Sequence, residues 1–385
     1  MPRPFTDRGV YTLCAAATLA ATLAACSSDT PVSPDEGDRP PTSMVASDSL
    51  ATPAAGFPSK LAGRFAYVWA DQPSSPNYTP SASYSFNGMG GSIQIIHGGT
   101  GTYIVSFGSL AGWGSGKLGF AATTYGSSTA ECQMRNNMTA GTSLSVYVFC
   151  HDRVTQALQD SRFTLLVVGA GSVLPRSAFA WADGPLSPSY TPAPFSSHTT
   201  GPGPILVTHG MTDGDYDVSL GTGKTTRSTV LVHGNHGFQN FCKLGQWRST
   251  SVRVRCFDGS AAPKNHYYWI LQVQGGRTGK RIGFAFADKS TTASYTPSAG
   301  YSSNSSGGAI TASRSGTGRY SIVFVGLQKL PGHAETVQVM AVGNNATTCK
   351  VLGWGNSANG LRVSVECRAP NGHLIDSRYN VLVIE

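Results

Sequence analysis

The chain has 385 residues, with 28 Lys and Arg against 20 Asp and Glu, a formal charge of +8, and charged residues make up only 12% of it. A positive charge of this size is compatible with polyanions such as acidic polysaccharide. Because no block of five or more basic residues occurs, we expect no specific nucleic-acid binding. A moderately basic surface without any specific anionic ligand explains the same numbers.

The first 25 residues are typical of a secretory signal, with Arg3 and Arg8 before a mostly apolar run from Val10 to Leu23. That run is too short to cross a bilayer. It ends in Leu23-Ala24-Ala25-Cys26, which resembles the lipobox of bacterial lipoproteins. The resemblance implies cleavage before Cys26 and a lipid on its thiol, so that the exported protein is anchored to a membrane of the cell envelope. The alternative is an ordinary secretory signal with a cysteine near its end.

Residues 26–62 predict a disordered tether. From Ser27 to about Ser59 the chain is rich in Ser, Pro, Asp, Thr and Ala and has almost no large apolar residue. Such a segment cannot bury enough surface to offset its ordering entropy. Ser27 directly after the cysteine resembles the signal for outer-membrane sorting in a double-membraned host.

The rest of the chain repeats one unit three times. Asp71, Asp183 and Asp288 each end an aromatic-rich strand pattern, and seven residues after each stands Tyr-Thr-Pro. The spacing is 112 and then 105 residues, which indicates duplication of a whole domain rather than a solenoid repeat. We place the three units at residues 63–171, 176–276 and 281–385.

Each unit has the pattern of an antiparallel β-sandwich. A Gly-x-Tyr strand follows the Tyr-Thr-Pro segment, at Tyr103, Tyr216 and Tyr320, and apolar residues alternate along it. Short strands separated by Gly, Pro, Asn and Ser, without a helical period, predict an all-β chain of three tandem sandwiches, Ig-like or jelly-roll-like. The links Gly169–Pro175 and Gly275–Lys280 are short, so we expect the sandwiches to be arranged as beads on a fairly stiff string.

Two cysteines stand at equivalent places in each unit, 18, 14 and 18 residues apart. Outside the cytoplasm, such pairs predict one disulfide per unit. The alternative of a metal site would need Cys-x-x-Cys pairs or clustered histidines, which are not present in all copies. The predicted bridges join Cys132 to Cys150, Cys242 to Cys256, and Cys349 to Cys367. Trp247 and Trp354, five residues after their cysteines, are expected to pack on the disulfides.

Several segments resemble binding sites but have simpler interpretations. Thr222-Gly223-Lys224-Thr225 resembles the end of a P-loop, yet the leading glycine of that motif would be Val218, inside a strand. Asp213, Asp215 and Asp217 suggest calcium, but no distal Glu completes a cage, which favours a turn. His233 and His236 flank a turn and lack an evident third ligand. We therefore expect no metal and no cofactor.

The acidic residues do not favour an enzyme. Asp160 and Asp376 recur at the start of the last strand, but the second unit has Asn265 there, so side-chain capping of the strand is the simpler explanation. No nucleophile elbow, zinc-protease motif or serine-triad spacing occurs. We expect no catalytic residues.

Aromatic residues are the best candidates for a binding surface. The first strands carry pairs such as Tyr67 and Trp69, which either stack on sugar rings or fill the core; the core is favoured. The Tyr-Thr-Pro segments keep a tyrosine in every copy, as a ligand-binding residue or as a ring that packs on its own sandwich while its hydroxyl fixes a loop. These tyrosines are Tyr78, Tyr190 and Tyr295.

The repeat as a whole resembles modules of uncharacterised secreted bacterial proteins, over roughly residues 63 to 385, and the Gly-x-Tyr and final strands resemble tumour-necrosis-factor-like jelly rolls. Neither resemblance implies site residues. We expect a non-catalytic envelope lipoprotein that binds a glycan, a polymer such as acidic polysaccharide, or a surface protein, in adhesion or carbohydrate binding. The alternative is a purely structural lipoprotein. An aromatic pair exposed in all three units would favour binding; buried aromatics would favour the structural role.

Overall fold

The computed structural model describes residues 65–111, 117–172, 174, 176–223, 227–235, 239–275 and 281–385. The predicted signal, Cys26 and the predicted tether lie outside the described residues. The described part is all-β, and its only helical segment is one turn of 3-10 helix at Ala299–Tyr301. No helix in these ranges is long and apolar enough to cross a membrane.

The first repeat has nine strands. They are β1 (Phe65–Ala70), β2 (Asn77–Tyr78), β3 (Ser85–Asn87), β4 (Ile93–Gly99), β5 (Thr102–Phe107), β6 (Leu118–Tyr125), β7 (Ala130–Ala140), β8 (Ser143–Asp152) and β9 (Arg162–Gly169).

The second repeat has the same nine strands in the same order. They are β10 (Arg176–Ala182), β11 (Ser189–Tyr190), β12 (Ser197–Thr199), β13 (Leu206–His209), β14 (Asp215–Ser219), β15 (Ser228–Gly234), β16 (Phe241–Trp247), β17 (Val252–Phe257) and β18 (Tyr268–Gln274).

The third repeat completes the series. Its strands are β19 (Ile282–Ala287), β20 (Ser294–Tyr295), β21 (Ser302–Asn304), β22 (Ile310–Gly316), β23 (Arg319–Val325), β24 (Thr336–Val342), β25 (Thr348–Ser357), β26 (Gly360–Arg368) and β27 (Arg378–Ile384).

Within each repeat the strands form two antiparallel layers. In the first repeat the order is β3-β1-β9-β6 in one layer and β2-β4-β5-β8-β7 in the other, and the other two repeats follow the same order. In the five-stranded layer, the two strands that carry the cysteines are neighbours, with Cys132 opposite Cys150. The predicted pairing is confirmed, because disulfides join Cys132–Cys150, Cys242–Cys256 and Cys349–Cys367.

The repeats are not separate beads, and that expectation is wrong. Strand β25 of the third repeat pairs in parallel with β6 of the first at Val351 and Tyr125, and β16 of the second pairs with β24 of the third at Leu244 and Val342. At the remaining junction β7 contacts β15. Each five-stranded layer thus joins the four-stranded layer of the next repeat, and the three junctions close a ring.

The strands β6, β15 and β24 line the middle of this ring and contact one another. All eight residues of β6 and all seven of β15 and of β24 are buried. One hydrophobic core accordingly contains residues from all three repeats, among them Phe120, Leu231 and Met340. The three equivalent strands define a pseudo-threefold axis.

The tryptophans that follow the cysteines lie between repeats. The ring of Trp354 packs against Trp69 and Tyr84 of the first repeat, with centroids 5.8 and 5.4 Å away. Trp247 packs in the same way on Phe286 and Tyr301 of the third repeat, at 6.4 and 5.2 Å. Packing on the disulfides therefore stays a prediction, and the aromatic rings that these tryptophans contact belong to the next repeat.

The junction between the first and second repeats is built differently. The first-repeat residue at the Trp354 position is Asn137, which is exposed. Instead, Trp269 of the second repeat contacts Phe120 of the first, at 5.0 Å, and stacks on Trp181, at 6.4 Å. The aromatic contacts at this junction therefore come from the four-stranded layers.

We predict that Trp354→Ala lowers the free energy of unfolding by about 3–5 kcal/mol, because it empties a buried space between the first and third repeats. Chemical denaturation measures the loss. Asn137→Ala, at the equivalent but exposed position, is the matched control and should change stability by less than about 0.5 kcal/mol. Equal effects of the two changes would contradict the assignment of Trp354 to the junction.

Candidate functional site

A polar cluster recurs at the beginning of the last strand of every repeat. In the first repeat the Asp160 carboxylate accepts hydrogen bonds from the Gly101 N–H at 2.6 Å, the Tyr103 hydroxyl at 3.3 Å and the His97 ring at 2.8 Å. The Tyr103 hydroxyl also accepts from the Ser161 N–H at 3.0 Å. These bonds tie the Gly-x-Tyr strand to the last strand.

The other two copies keep this cluster with different side chains. Asn265 accepts from the Gly214 N–H at 2.7 Å in the second repeat, and Asp376 from the Gly318 N–H at 2.9 Å in the third. The position of His97 is taken by Arg314 in the third repeat, where the guanidinium binds Asp376. A proton relay would need both the His and the Asp, whereas the second repeat keeps the hydrogen-bonded joint with Asn265 in place of the Asp, and the third keeps it with Arg314 in place of the His.

The glycine of Gly-x-Tyr is required by this joint. Gly214 has φ +68°, and a Cβ there would lie 2.2 Å from the Cys256 carbonyl oxygen. A side chain would meet both the left-handed backbone and that oxygen. The motif is therefore explained by packing of the turn against the disulfide strand.

The Tyr-Thr-Pro tyrosines are half-buried, and each hydroxyl is engaged. Tyr78, Tyr190 and Tyr295 accept hydrogen bonds from the backbone N–H six residues earlier, at 3.2, 3.0 and 2.9 Å. Burial raises the pKa of Tyr190 and of Tyr295 to about 12. This geometry matches the structural interpretation of these residues; ligand binding through them stays a prediction.

The first-strand aromatics form no surface shared by the three copies. Tyr67, Trp69, Phe179 and Phe284 are buried. The second aromatic residue of the pair is half-buried in the other repeats, where Trp181 and Phe286 pack against the core.

The candidate metal sites gain little support from the geometry. Asp215 binds Arg253 at 2.6 Å and Asp217 pairs with Arg248, so guanidinium groups occupy both carboxylates. His236 lies outside the described residues, as do Lys224 and Thr225 of the P-loop-like segment. Within the described ranges, no three His, Cys, Asp or Glu side chains are placed to hold a metal ion.

A cavity lies on the pseudo-threefold axis, lined by equivalent residues of all three repeats. Its volume is about 30 Å³, which is room for one or two water molecules. The lining combines apolar groups and the disulfide cysteines with Glu131, His233 and Lys243.

Lys243 is the most unusual residue of this cavity, because it is 2% exposed. Its Nζ donates to the Thr347 carbonyl at 2.8 Å and to Asn345 Oδ1 at 3.2 Å. Burial, and then the guanidinium groups of Arg153 and Arg378, lower the pKa of Lys243 to about 7. The sequence analysis did not single out this lysine.

Two further groups at the axis are affected by burial. The pKa of His233 falls to about 3, so the ring is neutral at physiological pH. Its Nε2 has no hydrogen-bond partner among the described residues. The pKa of Glu131 is raised by burial, against the lowering effect of the cations around it.

The second repeat also exposes apolar side chains that the other copies lack. Leu186 and Phe195 are 78% and 63% exposed, in the connection between β10 and β12 that contains Tyr190. The equivalent residues are Ser74 and Ser83 in the first repeat. Sequence reasoning missed this difference, although comparing the copies position by position would have revealed it.

No family model matches the chain, and neither the curated proteins nor the solved structures include a significant match.

We predict that the stability of the protein depends on pH through Lys243. An unfolded lysine has a pKa of about 10.4, so between about pH 7 and 10.4 the unfolded chain binds more protons than the folded one, and stability rises with pH. Below about pH 7 both states are protonated, and the cost of the buried charge is fully present. Lys243→Met removes this dependence.

The measurement is the difference in unfolding free energy between Lys243→Met and the native protein, in low salt, from pH 6 to 10. The unfolding free energy of the variant relative to the native protein should decrease as pH rises. The test is this change with pH, and the difference at any single pH does not matter. Lys264→Met, at an exposed lysine, is the matched control and should give a flat difference. A flat difference for Lys243→Met would show that this lysine keeps its proton in the folded protein over the whole pH range, as an unburied lysine does.

Proposed function

We propose that this chain is a non-catalytic lipoprotein of the cell envelope that binds a glycan, a polymer or a protein at the cell surface. The ring of three repeats serves as a rigid platform, and the segment from Cys26 to residue 62 serves as its tether. The repeated polar clusters and tyrosines are occupied by bonds within the protein, so the ligand contact falls on what differs between the copies.

The observation that carries the proposal is the exposure of Leu186 and Phe195. Exposed apolar side chains mark an interaction site when they form a patch, and Leu186 and Phe195 lie in the same connection between β10 and β12. Three more of the exposed large hydrophobic residues lie in the same repeat: Leu206, Met211 and Tyr267. The folding framework is kept in the other two repeats without such residues at the Leu186 and Phe195 positions, so the fold does not require them.

We predict that the double change Leu186→Ser and Phe195→Ser abolishes binding while the melting temperature stays within about 2 °C of the native value. Serine stands at both positions in the first repeat, so the fold tolerates it there. Binding is measured with the full protein by a glycan array and a cell-wall pull-down. Leu330→Ser, at an exposed apolar residue of the third repeat, is the control.

The native protein must first retain a ligand in one of these assays. Retention that survives the double change would move the site elsewhere on the ring. If no glycan, cell-wall fraction or surface protein is retained, the purely structural role replaces the proposal. The burial of most first-strand aromatics favours that alternative.

Localisation is tested through the lipobox-like segment. We predict that the native protein fractionates with membranes and that Cys26→Ser releases it, because the thiol that would carry the lipid is lost. Fractionation of an epitope-tagged protein, with mass spectrometry of its N-terminal peptide, measures this. A native protein that is soluble and carries no lipid would overturn the anchoring.

A further inference from the structure

The charges around the axis do not balance. The axial cavity and the pocket beside it are lined by four cations, Lys243, Arg153, Lys350 and Arg368, but by only two carboxylates. One of these, Glu366, is fully buried and is held by Arg368 at 2.7 Å and by Arg319 at 3.2 Å. Glu131 is the other carboxylate, and it lines the axial cavity.

These cations are deeply buried. Lys243, Lys350 and Arg153 are 2%, 5% and 5% exposed. A buried charge is costly unless a counter-charge or a full set of hydrogen bonds compensates it. Arg153 stacks on Phe241, 4.0 Å from the ring centroid, and its Nη1 has no hydrogen-bond partner among the described residues. Glu131 is one carboxylate beside both Lys243 and Arg153, which leaves an excess of positive charge.

The cavity offers hydrogen-bond donors of its own. An ammonium group has three N–H bonds, and Lys243 donates to two acceptors, the Thr347 carbonyl and Asn345 Oδ1. His233 lines the cavity with a ring nitrogen that has no partner among the described residues. Thr348 also lines this cavity, and its side chain is hydrogen-bonded to Glu131.

The size of the cavity selects the ligand. About 30 Å³ accepts one or two water molecules or a single monatomic ion, and is too small for a sugar acid. A cation is excluded by the surrounding positive charge. The remaining ligand class that fits both the volume and the charge is a halide.

We propose that the axial cavity binds one chloride ion, held by the Lys243 ammonium group where the three repeats meet. The ion offsets the positive charge buried on the axis. Since the cavity wall comes from all three repeats, binding stabilises the closed ring and is lost when it opens.

The test measures thermal unfolding of the full protein at pH 7 and constant ionic strength, with sodium gluconate replaced stepwise by sodium chloride or sodium bromide. Chloride should raise the melting temperature by several degrees with saturation, because a ligand specific to the folded state stabilises by RT ln(1 + [L]/Kd). Bromide should act alike. Gluconate is too large for the cavity and serves as the reference anion.

Two variants locate the site. Lys243→Met should lose the halide-dependent rise, whereas Lys264→Met, at an exposed lysine, should keep it. Glu131→Gln removes the carboxylate that competes with the ion, so half-saturation should move to a several-fold lower chloride concentration. If Lys243→Met does not fold, the Glu131→Gln shift still decides the question.

Crystals soaked in bromide give a direct measurement, since the anomalous signal should peak in the cavity beside Lys243. The proposal is overturned if halides and gluconate stabilise equally, if Lys243→Met keeps the halide effect, if Glu131→Gln leaves half-saturation unchanged, or if the cavity holds only water in bromide-soaked crystals.

Discussion

The pairing of sheet edges between repeats is the constraint on which the rest of this structure depends. Each repeat has a five-stranded layer that ends in a cysteine-bearing strand, and an open edge of this kind exposes unpaired backbone groups. Two of the three edges find a partner in the inner strand of the next repeat, through bonds such as Gly126 N–H to the Val351 carbonyl at 2.8 Å and Gly343 N–H to Leu244 at 3.0 Å. At the third junction β7 contacts β15, and this contact closes the ring.

Ring closure explains why the inner strands contain polar residues that are buried. The Thr123 hydroxyl donates to Gln338 Oε1 at 2.8 Å, and Gln338 Nε2 donates to Thr164 Oγ1 at 3.0 Å, across the junction of the first and third repeats. Asn380 Nδ2 donates to the Val230 carbonyl at 2.9 Å across the next junction. These bonds satisfy groups that would be costly to bury alone, and they favour one register of the repeats over others.

The sequence predicted the parts of the fold that depend on local patterns. Alternation around Tyr103, the repeated aspartates and the cysteine spacings led to the all-β assignment and to the correct disulfides. It did not predict the ring, because the pairing of Val351 with Tyr125 joins residues more than 200 positions apart. Such a pairing produces no periodic pattern in the sequence. The contacts of Trp354 with the first repeat were missed for the same reason: its spacing from Cys349 is local, while Trp69 and Tyr84 are in another repeat.

Lys243 was missed because a side chain at its position in the strand is ordinarily exposed to water. Lys243 follows Cys242 directly, and in a strand its side chain points away from the disulfide, to the face that is in water in an isolated sandwich. Only the closed ring buries that face. The exposed Leu186 and Phe195 were missed for a different reason: the analysis weighed what the copies share, and these residues are unlike their counterparts.

A single chain with three copies can fill its axis in a way that three identical chains cannot. In a symmetric trimer every axial residue occurs three times, so a lysine at the Lys243 position would bring three ammonium groups together in a medium of low dielectric constant. Here the equivalent residues are Gln133, Lys243 and Lys350, and the residues before the cysteines are Glu131, Phe241 and Thr348. Duplication within one chain thus allowed a carboxylate, an aromatic ring and a hydroxyl to meet at one place. Every copy had to keep the turns and the disulfide that its own fold requires. The three residues at an axial position needed only to pack with one another, so the charges of the copies could diverge there.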